Sequence, residues 1–359
     1  MPHAPVGDGG IQLYYEDTGA PPNSSDYTTL VLVHGGVFNG STFKPMFVHA
    51  ADCNMRLVAL NTRDYRGSTP YSSSDLEALR STNLDEQRAM IDARGQEVAA
   101  FLVWFIRQAN IPLRSKNQEI TSSGGLALLG WSWGNTMTVS FLAQASRLPQ
   151  EDRRFIDDYL SAFIMYDSAR HGLGVPPEIT EGLRRPARGR DETVDQNNVF
   201  QHWLSGYYVH SPPILDSFPS VTLDDLQGGL VHLPITSPSS DYEPSTTRMT
   251  HQEFADVTDP DVVKRAHPLY HAVNPVLYKE NIQGALWNAT TWPHLKVTLV
   301  WCDMSPPETV LSAWYLANQV GTNWPRGARK VDVLRFQGAN HFPHWDQPKR
   351  TIKLLSSII

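Results

Sequence analysis

Along the chain, short continuous apolar runs alternate with longer stretches of helical periodicity. Thr29-Leu30-Val31-Leu32-Val33, Met55-Arg56-Leu57-Val58-Ala59-Leu60 and Leu126-Ala127-Leu128-Leu129 are runs of strand length without polar alternation, as is Leu160-Ser161-Ala162-Phe163-Ile164-Met165-Tyr166. Such runs predict strands covered on both faces, as in a parallel sheet. Ile11 to Glu16 alternates instead and predicts a half-exposed strand. Between the second and third runs, Ile91, Val98, Leu102 and Phe105 recur at helical spacing, with Asn83 and Glu86 placed to cap the helix start. Thr136 to Ala143 reads as a buried helix. The alternation returns near the end, with strands at Leu295 to Trp301 and Lys330 to Phe336, a helix from about Thr309 and a C-terminal helix. Strands alternating with helices predict an α/β fold: a mostly parallel, doubly wound sheet whose site lies at the carboxyl ends of its strands.

The pattern breaks after Asp167. From about Arg170 to Thr291 the chain is rich in Pro, Gly, Ser and charge, with helical patches such as Asn198 to Leu204 and no buried parallel strand. A block of this length is not expected to be one structureless loop. The reading is a mainly helical cap, residues 170–291, inserted after the strand that ends at Tyr166 into a core made of residues 1–169 and 292–359.

Composition narrows the classes of function. The 359 residues are 41% hydrophobic and 19% charged, which allows a sizeable core, and the net charge of -7 without a basic run argues against a nucleic-acid partner. No apolar stretch is long enough to span a bilayer. The start, Met1-Pro2-His3-Ala4-Pro5, has no signal-peptide character. Cys53 and Cys302 are too few for a disulfide framework and lack metal-ligand spacing. The glycosylation sequons at Asn23, Asn39 and Asn288 carry little meaning without a secretion signal. The expectation is a cytoplasmic protein with no membrane contact, no metal and no organic cofactor.

The candidate chemistry lies where the third run ends. Gly130-Trp131-Ser132-Trp133-Gly134 is G-x-S-x-G between a strand and a helix. That context forces the serine into a strained turn with its hydroxyl above the sheet edge. A serine hydroxyl needs an adjacent base, itself oriented by a third group. Ser132 comes early, and Gly338-Ala339-Asn340-His341-Phe342-Pro343-His344-Trp345-Asp346-Gln347-Pro348 closes the chain.

With these segments in order, the chain resembles the α/β-hydrolase superfamily, in the branch carrying a cap domain. The matching features are His34-Gly35-Gly36 after a central strand, Asp64-Tyr65-Arg66-Gly67-Ser68, the Ser132 turn, and the Gly-Ala-Asn-His segment with its His-Trp-Asp-Gln-Pro tail. They cover residues 11–167 and 292–359; the cap matches nothing usable. The resemblance makes Ser132 the nucleophile and His341 the base, with His344 a structural rival. It implies oxyanion donors at the Trp133 amide and at Gly36, with Val37 the neighbouring candidate.

The acid is less determined. In many relatives it follows the seventh strand in a pattern like W-G-x-x-D-P, which lays Trp301-Cys302-Asp303-Met304-Ser305-Pro306 so that the acid's place falls on Ser305. Other relatives, among them many haloalkane dehalogenases, place it at the end of the sixth strand, where Asp167 stands. Asp167 is therefore preferred and Asp303 is the rival. A serine nucleophile implies an acyl-enzyme, unlike the alkyl-enzyme of relatives with aspartate there. The expectation is hydrolysis of an ester or lactone of a small-to-medium apolar molecule, with Trp131, Trp203 and Tyr207 as candidate substrate contacts. Two alternatives stay open: a lyase or C–C bond-cleaving enzyme on this scaffold, or a ligand receptor.

Overall fold

The computed structural model describes residues 2–7, 9–115, 124–183 and 196–359. Eight strands form one sheet: β1 (His3–Pro5), β2 (Gln12–Asp17), β3 (Thr28–Val33), β4 (Met55–Leu60), β5 (Leu126–Trp131), β6 (Leu160–Tyr166), β7 (Lys296–Cys302) and β8 (Val331–Phe336). Their order is β1-β2-β4-β3-β5-β6-β7-β8. The β1–β2 and β2–β4 pairs are antiparallel, and every pair from β4 to β8 is parallel. β3, β5 and β6 are buried along their whole length, which is why they read as unbroken apolar runs. β8 lies at an edge and keeps exposed positions.

The two faces of the sheet carry two cores. Val31, Val33, Leu128, Phe163 and Met165 join one cluster. Their chain neighbours Leu30, Leu32, Ala127, Leu129, Ala162 and Ile164 join the other. This is the two-residue period of a strand. Helix α1 (Leu84–Ala109) covers the first face with Val98, Leu102 and Phe105. Its N-cap is Asn83, which accepts from the Asp85 amide at 2.9 Å. Helix α2 (Asn135–Ala143) follows β5 directly and is buried almost throughout. β5 runs two residues beyond Leu129, because Gly130 and Trp131 pair with Met165 and Tyr166 of β6.

Between β6 and β7 the described residues add no strand to the sheet. They form helices, among them α3 (Gln196–Ser205), α4 (His251–Val257), α5 (His267–Ala272) and α6 (Pro275–Leu286). Residues 184–195 of this insertion lie outside the described residues. The last helix, α6, packs in the helix layer of the sheet: Leu277, Ile282 and Leu286 join the cluster of Phe141 and Leu142, and Gly284 abuts Ala143 of α2. After β7 comes α7 (Pro307–Thr322), which starts at Pro307 because proline suits a first helical turn. The chain closes with α8 (Pro348–Ile358), whose Ile352 and Leu355 cover the second face. Among the described residues no helix is long and apolar enough to cross a membrane.

Candidate active site

Ser132 sits between β5 and α2 with φ +52°, in the left-handed region. The local sequence explains how a side chain is forced there. A β-carbon on Gly130 would lie 2.4 Å from Thr138 Oγ1, and one on Gly134 would lie 2.4 Å from the His34 carbonyl oxygen. Only glycines permit this close approach of strand, turn and helix.

The parallel sheet brings the ends of β6 and β8 to the same edge. Asp167, just past β6, has φ +38° and is almost fully buried. Its Oδ1 accepts from the Cys302 amide at 2.9 Å, and its Oδ2 accepts from Ser305 Oγ at 2.6 Å. The same Oδ2 lies 2.5 Å from His341 Nδ1. A carboxylate accepts only, so Nδ1 carries the proton and Nε2 presents a lone pair. His341 Nε2 is buried and has no hydrogen-bond partner among the described residues. Trp131, immediately before Ser132, donates its indole N–H to the His341 carbonyl at 3.0 Å. The serine turn and the imidazole loop are thus held together.

Asp303 faces elsewhere. Its Oδ2 accepts from Arg335 Nε at 2.8 Å and its Oδ1 from the Gly338 amide at 2.6 Å. Of the two candidate acids, only Asp167 bonds the His341 ring. His344 is buried against Trp131 and Phe43, with Nε2 3.2 Å from Thr42 Oγ1. Burial, and next the nearby His341, push its pKa well below the usual imidazole value. It packs under the site.

His34 is also neutral by construction. The Thr62 amide donates to its Nε2 at 3.1 Å, so Nδ1 carries the proton and donates to the Gly35 carbonyl at 2.7 Å. Burial pushes its pKa down to about 4. The loop it anchors continues into Gly36 and Val37. The Val37 amide donates to Tyr65 Oη at 3.1 Å, which leaves Gly36 as the loop's candidate oxyanion donor beside Trp133. Val37 itself has φ +73°, a conformation that costs a β-branched residue about 1–3 kcal/mol. Gly36 has no room for a side chain, since its β-carbon would lie 2.2 Å from His267 Nε2.

A cavity of about 70 Å³ opens onto Ser132. Gly36, Val37 and Trp133 line it, Ala169 follows β6, Pro306 follows β7, and Glu308 and Thr309 come from the first turn of α7. The insertion supplies Phe200, Trp203, Leu204, His267 and His271. Its apolar lining suits a small apolar group. Trp203 lines this cavity, and Trp131 and Tyr207 are not among its lining residues. Trp131 is fully buried among Phe38, Phe43, Phe342 and the His341 ring. Tyr207 donates its hydroxyl to Asp346 Oδ2 at 2.8 Å. That buried carboxylate also takes bonds from Ser245 Oγ at 2.7 Å, Asn340 Nδ2 at 3.2 Å and the Arg248 guanidinium. Burial raises the Asp346 pKa against these donors. The network ties the insertion to the loop that carries His341.

Sequence reasoning missed Ser305 as a donor to Asp167, and the Asp346 network. It also passed over His267 and His271, whose spacing of four within a helical stretch was the available signal.

The chain belongs to the alpha/beta hydrolase family, whose model matches residues 30–354. Solved structures agree on the fold. The chain is similar to VinJ at 14% identity and TM-score 0.53, over 100% of this chain and 99% of that one. It is similar to the esterase EaEST of Exiguobacterium antarcticum at 13% identity and TM-score 0.50, over 99% of this chain and 97% of that one. A search of curated protein sequences finds no match.

Proposed function

We propose that the protein is a serine hydrolase that cleaves an ester or lactone of a small-to-medium apolar molecule through an acyl-serine intermediate. The observation that carries this reading is the buried Asp167–His341 bond, which leaves His341 Nε2 without a partner among the described residues, at the sheet edge where Ser132 is held in a left-handed turn. Ser132 Oγ attacks the carbonyl carbon while His341 Nε2 takes its proton. Asp167 holds the ring in the tautomer that can do so and stabilises the imidazolium. The Gly36 and Trp133 amides receive the charge on the carbonyl oxygen. His341 returns the proton to the leaving alkoxide; water, deprotonated by the same nitrogen, then attacks the acyl carbon, and the imidazolium gives that proton to Ser132 Oγ as the acid leaves. The insertion, read as a cap, closes the apolar end of the cavity with Phe200, Trp203 and Leu204. EaEST, a solved structure with this fold, is an esterase, in keeping with that chemistry.

A fluorophosphonate probe is expected to label Ser132 in the native protein. Ser132→Ala is expected to abolish labelling and lower kcat on p-nitrophenyl butyrate by roughly 10⁴-fold or more. Unchanged turnover in Ser132→Ala would sink the mechanism.

A further inference from the structure

We propose that the insertion is part of the oxyanion apparatus: Asn39 and Asp259 are positioning residues that hold the Gly36–Val37 loop in its active shape. This rests on the serine-hydrolase reading above.

The loop is fastened to the insertion at successive residues. Phe38 forms an antiparallel bridge with Thr258. The Asn39 amide donates to the Val257 carbonyl at 2.8 Å, and the Asp259 amide points back to the Val37 carbonyl at 3.5 Å. The buried Asn39 side chain donates to Asp259 Oδ2 at 2.7 Å and to the Asp256 carbonyl at 3.0 Å. Its own Oδ1 accepts from the Ser41 amide at 3.0 Å. His267, from α5, is seated on Gly36. A neighbouring core loop is held the same way, with Arg66 donating to the Ala255 carbonyl at 2.9 Å and Arg265 paired to the buried Asp64.

Val37 shows why the fastening matters. Its φ of +73° is a state that valine does not keep unless its surroundings impose it. On the core side the loop has the Tyr65 bond to the Val37 amide. The bonds at Phe38 and Asn39 come from the insertion. Relaxation of Val37 to negative φ swings the Gly35–Gly36–Val37 segment relative to Phe38 and Asn39, and so re-aims the Gly36 amide. An oxyanion donor must lie within a few tenths of an ångström of its productive distance. The insertion therefore does more than wall the pocket: it keeps a strained residue in place from outside the core. The Asn39–Asp259 bond is the charge-assisted member of the set.

The test is steady-state kinetics on p-nitrophenyl butyrate, with fluorophosphonate labelling rates. Asn39→Ala and Asp259→Ala are each expected to lower kcat about 10- to 100-fold, with KM changed less than about threefold. Asp259→Asn keeps an acceptor for Asn39 and is expected to retain activity within about threefold. Adding Val37→Gly to Asn39→Ala is expected to recover most of the loss, because glycine takes the positive φ without strain. The idea is overturned if both alanine variants keep wild-type kcat, or if Val37→Gly recovers nothing. Should Asn39→Ala fail to fold, equal kcat in Asp259→Ala and Asp259→Asn overturns it instead. Failure of the underlying reading looks different: Ser132→Ala would then stay active, whereas failure of the fastening alone leaves Ser132→Ala inactive and Asn39→Ala active.

Discussion

Asp167 and Asp303 stand past the carboxyl ends of adjacent parallel strands, and both are buried. Asp167 receives a backbone amide, the Ser305 hydroxyl and the His341 ring. Asp303 receives the Arg335 guanidinium and the Gly338 amide. Burial and strand-end position are common to both, so neither decides the role. What decides it is the group opposite: an imidazole whose far nitrogen has no partner among the described residues in one case, a permanently charged guanidinium in the other. The first pair can move a proton, and the second can only tie the end of β7 to β8.

The largest effect that tests this contrast is on turnover. Asp167→Asn is expected to lower kcat by about 10³–10⁴-fold, because an amide no longer holds His341 in the required tautomer. Asp303→Asn is expected to stay within about fivefold of wild type, since no bond of Asp303 reaches the ring. Measuring both on one ester settles the ranking, and a reversed order breaks the contrast.

That ranking is where the sequence stops being sufficient. The strands were legible because a parallel sheet covered on both faces demands runs such as Leu126 to Leu129, and the serine turn was legible because Gly130 and Gly134 tolerate no β-carbon. Local pattern tells which face a residue takes, but not which partner arrives from far along the chain. Asp167 meets His341 across a sequence separation of 174 residues, and Asp303 meets Arg335 across 32. The family pattern laid Ser305 on the acid's place, but nothing in Trp301-Cys302-Asp303-Met304-Ser305-Pro306 says that its hydroxyl would bond a carboxylate from the end of β6. Tyr207 shows the same limit, since an aromatic ring reads equally as a pocket wall or as a carrier for a hydroxyl bound to Asp346.

The imidazoles sharpen the contrast at a smaller scale. His341 faces a carboxylate, whereas His34 and His210 are held neutral, each with one ring nitrogen accepting from a backbone amide. Burial pushes both down to about 4. Their folded values lie below the unfolded value of about 6.5, so between those limits the unfolded chain binds more protons. Stability is therefore lost as pH falls through 6.5 toward 4. Each group is expected to remove about 2 kcal/mol between pH 7 and pH 5, read as a fall in the urea midpoint. His210→Gln is expected to shrink that fall; an undiminished pH dependence would show that His210 is not the neutral group.

Asp303 is expected to declare itself in the same assay. Removing its charge weakens the Arg335 pair but leaves an oxygen for the Gly338 amide. Arg335 is 28% exposed, so solvent screens the pair and the loss is expected at about 1–2 kcal/mol. A fall in the urea midpoint with turnover preserved places Asp303 in the scaffold. A fall in turnover at unchanged stability would bring it back as a participant in the chemistry.

The smallest effect concerns Ser305, two residues past Asp303 and bonded to Asp167. Its hydroxyl donates to the same Asp167 oxygen that holds His341, and its carbonyl accepts from His210 Nε2 at 2.8 Å. Ser305→Ala removes one donor from a buried carboxylate and leaves the imidazole bond in place. The expected loss in kcat is about tenfold, the equivalent of about 1.4 kcal/mol. Because the hydroxyl already touches the oxygen facing the ring, a carboxylate at residue 305 has only a short distance to cover. The double variant Asp167→Asn/Ser305→Asp is therefore expected to turn over roughly 10-fold faster than Asp167→Asn alone. Recovery would show that the site needs a charge opposite Nδ1 and is indifferent to which strand end supplies it. No recovery, together with a silent Ser305→Ala, would mean that the left-handed backbone at Asp167 is itself required, and that the facing partner alone does not set the role of a strand-end acid.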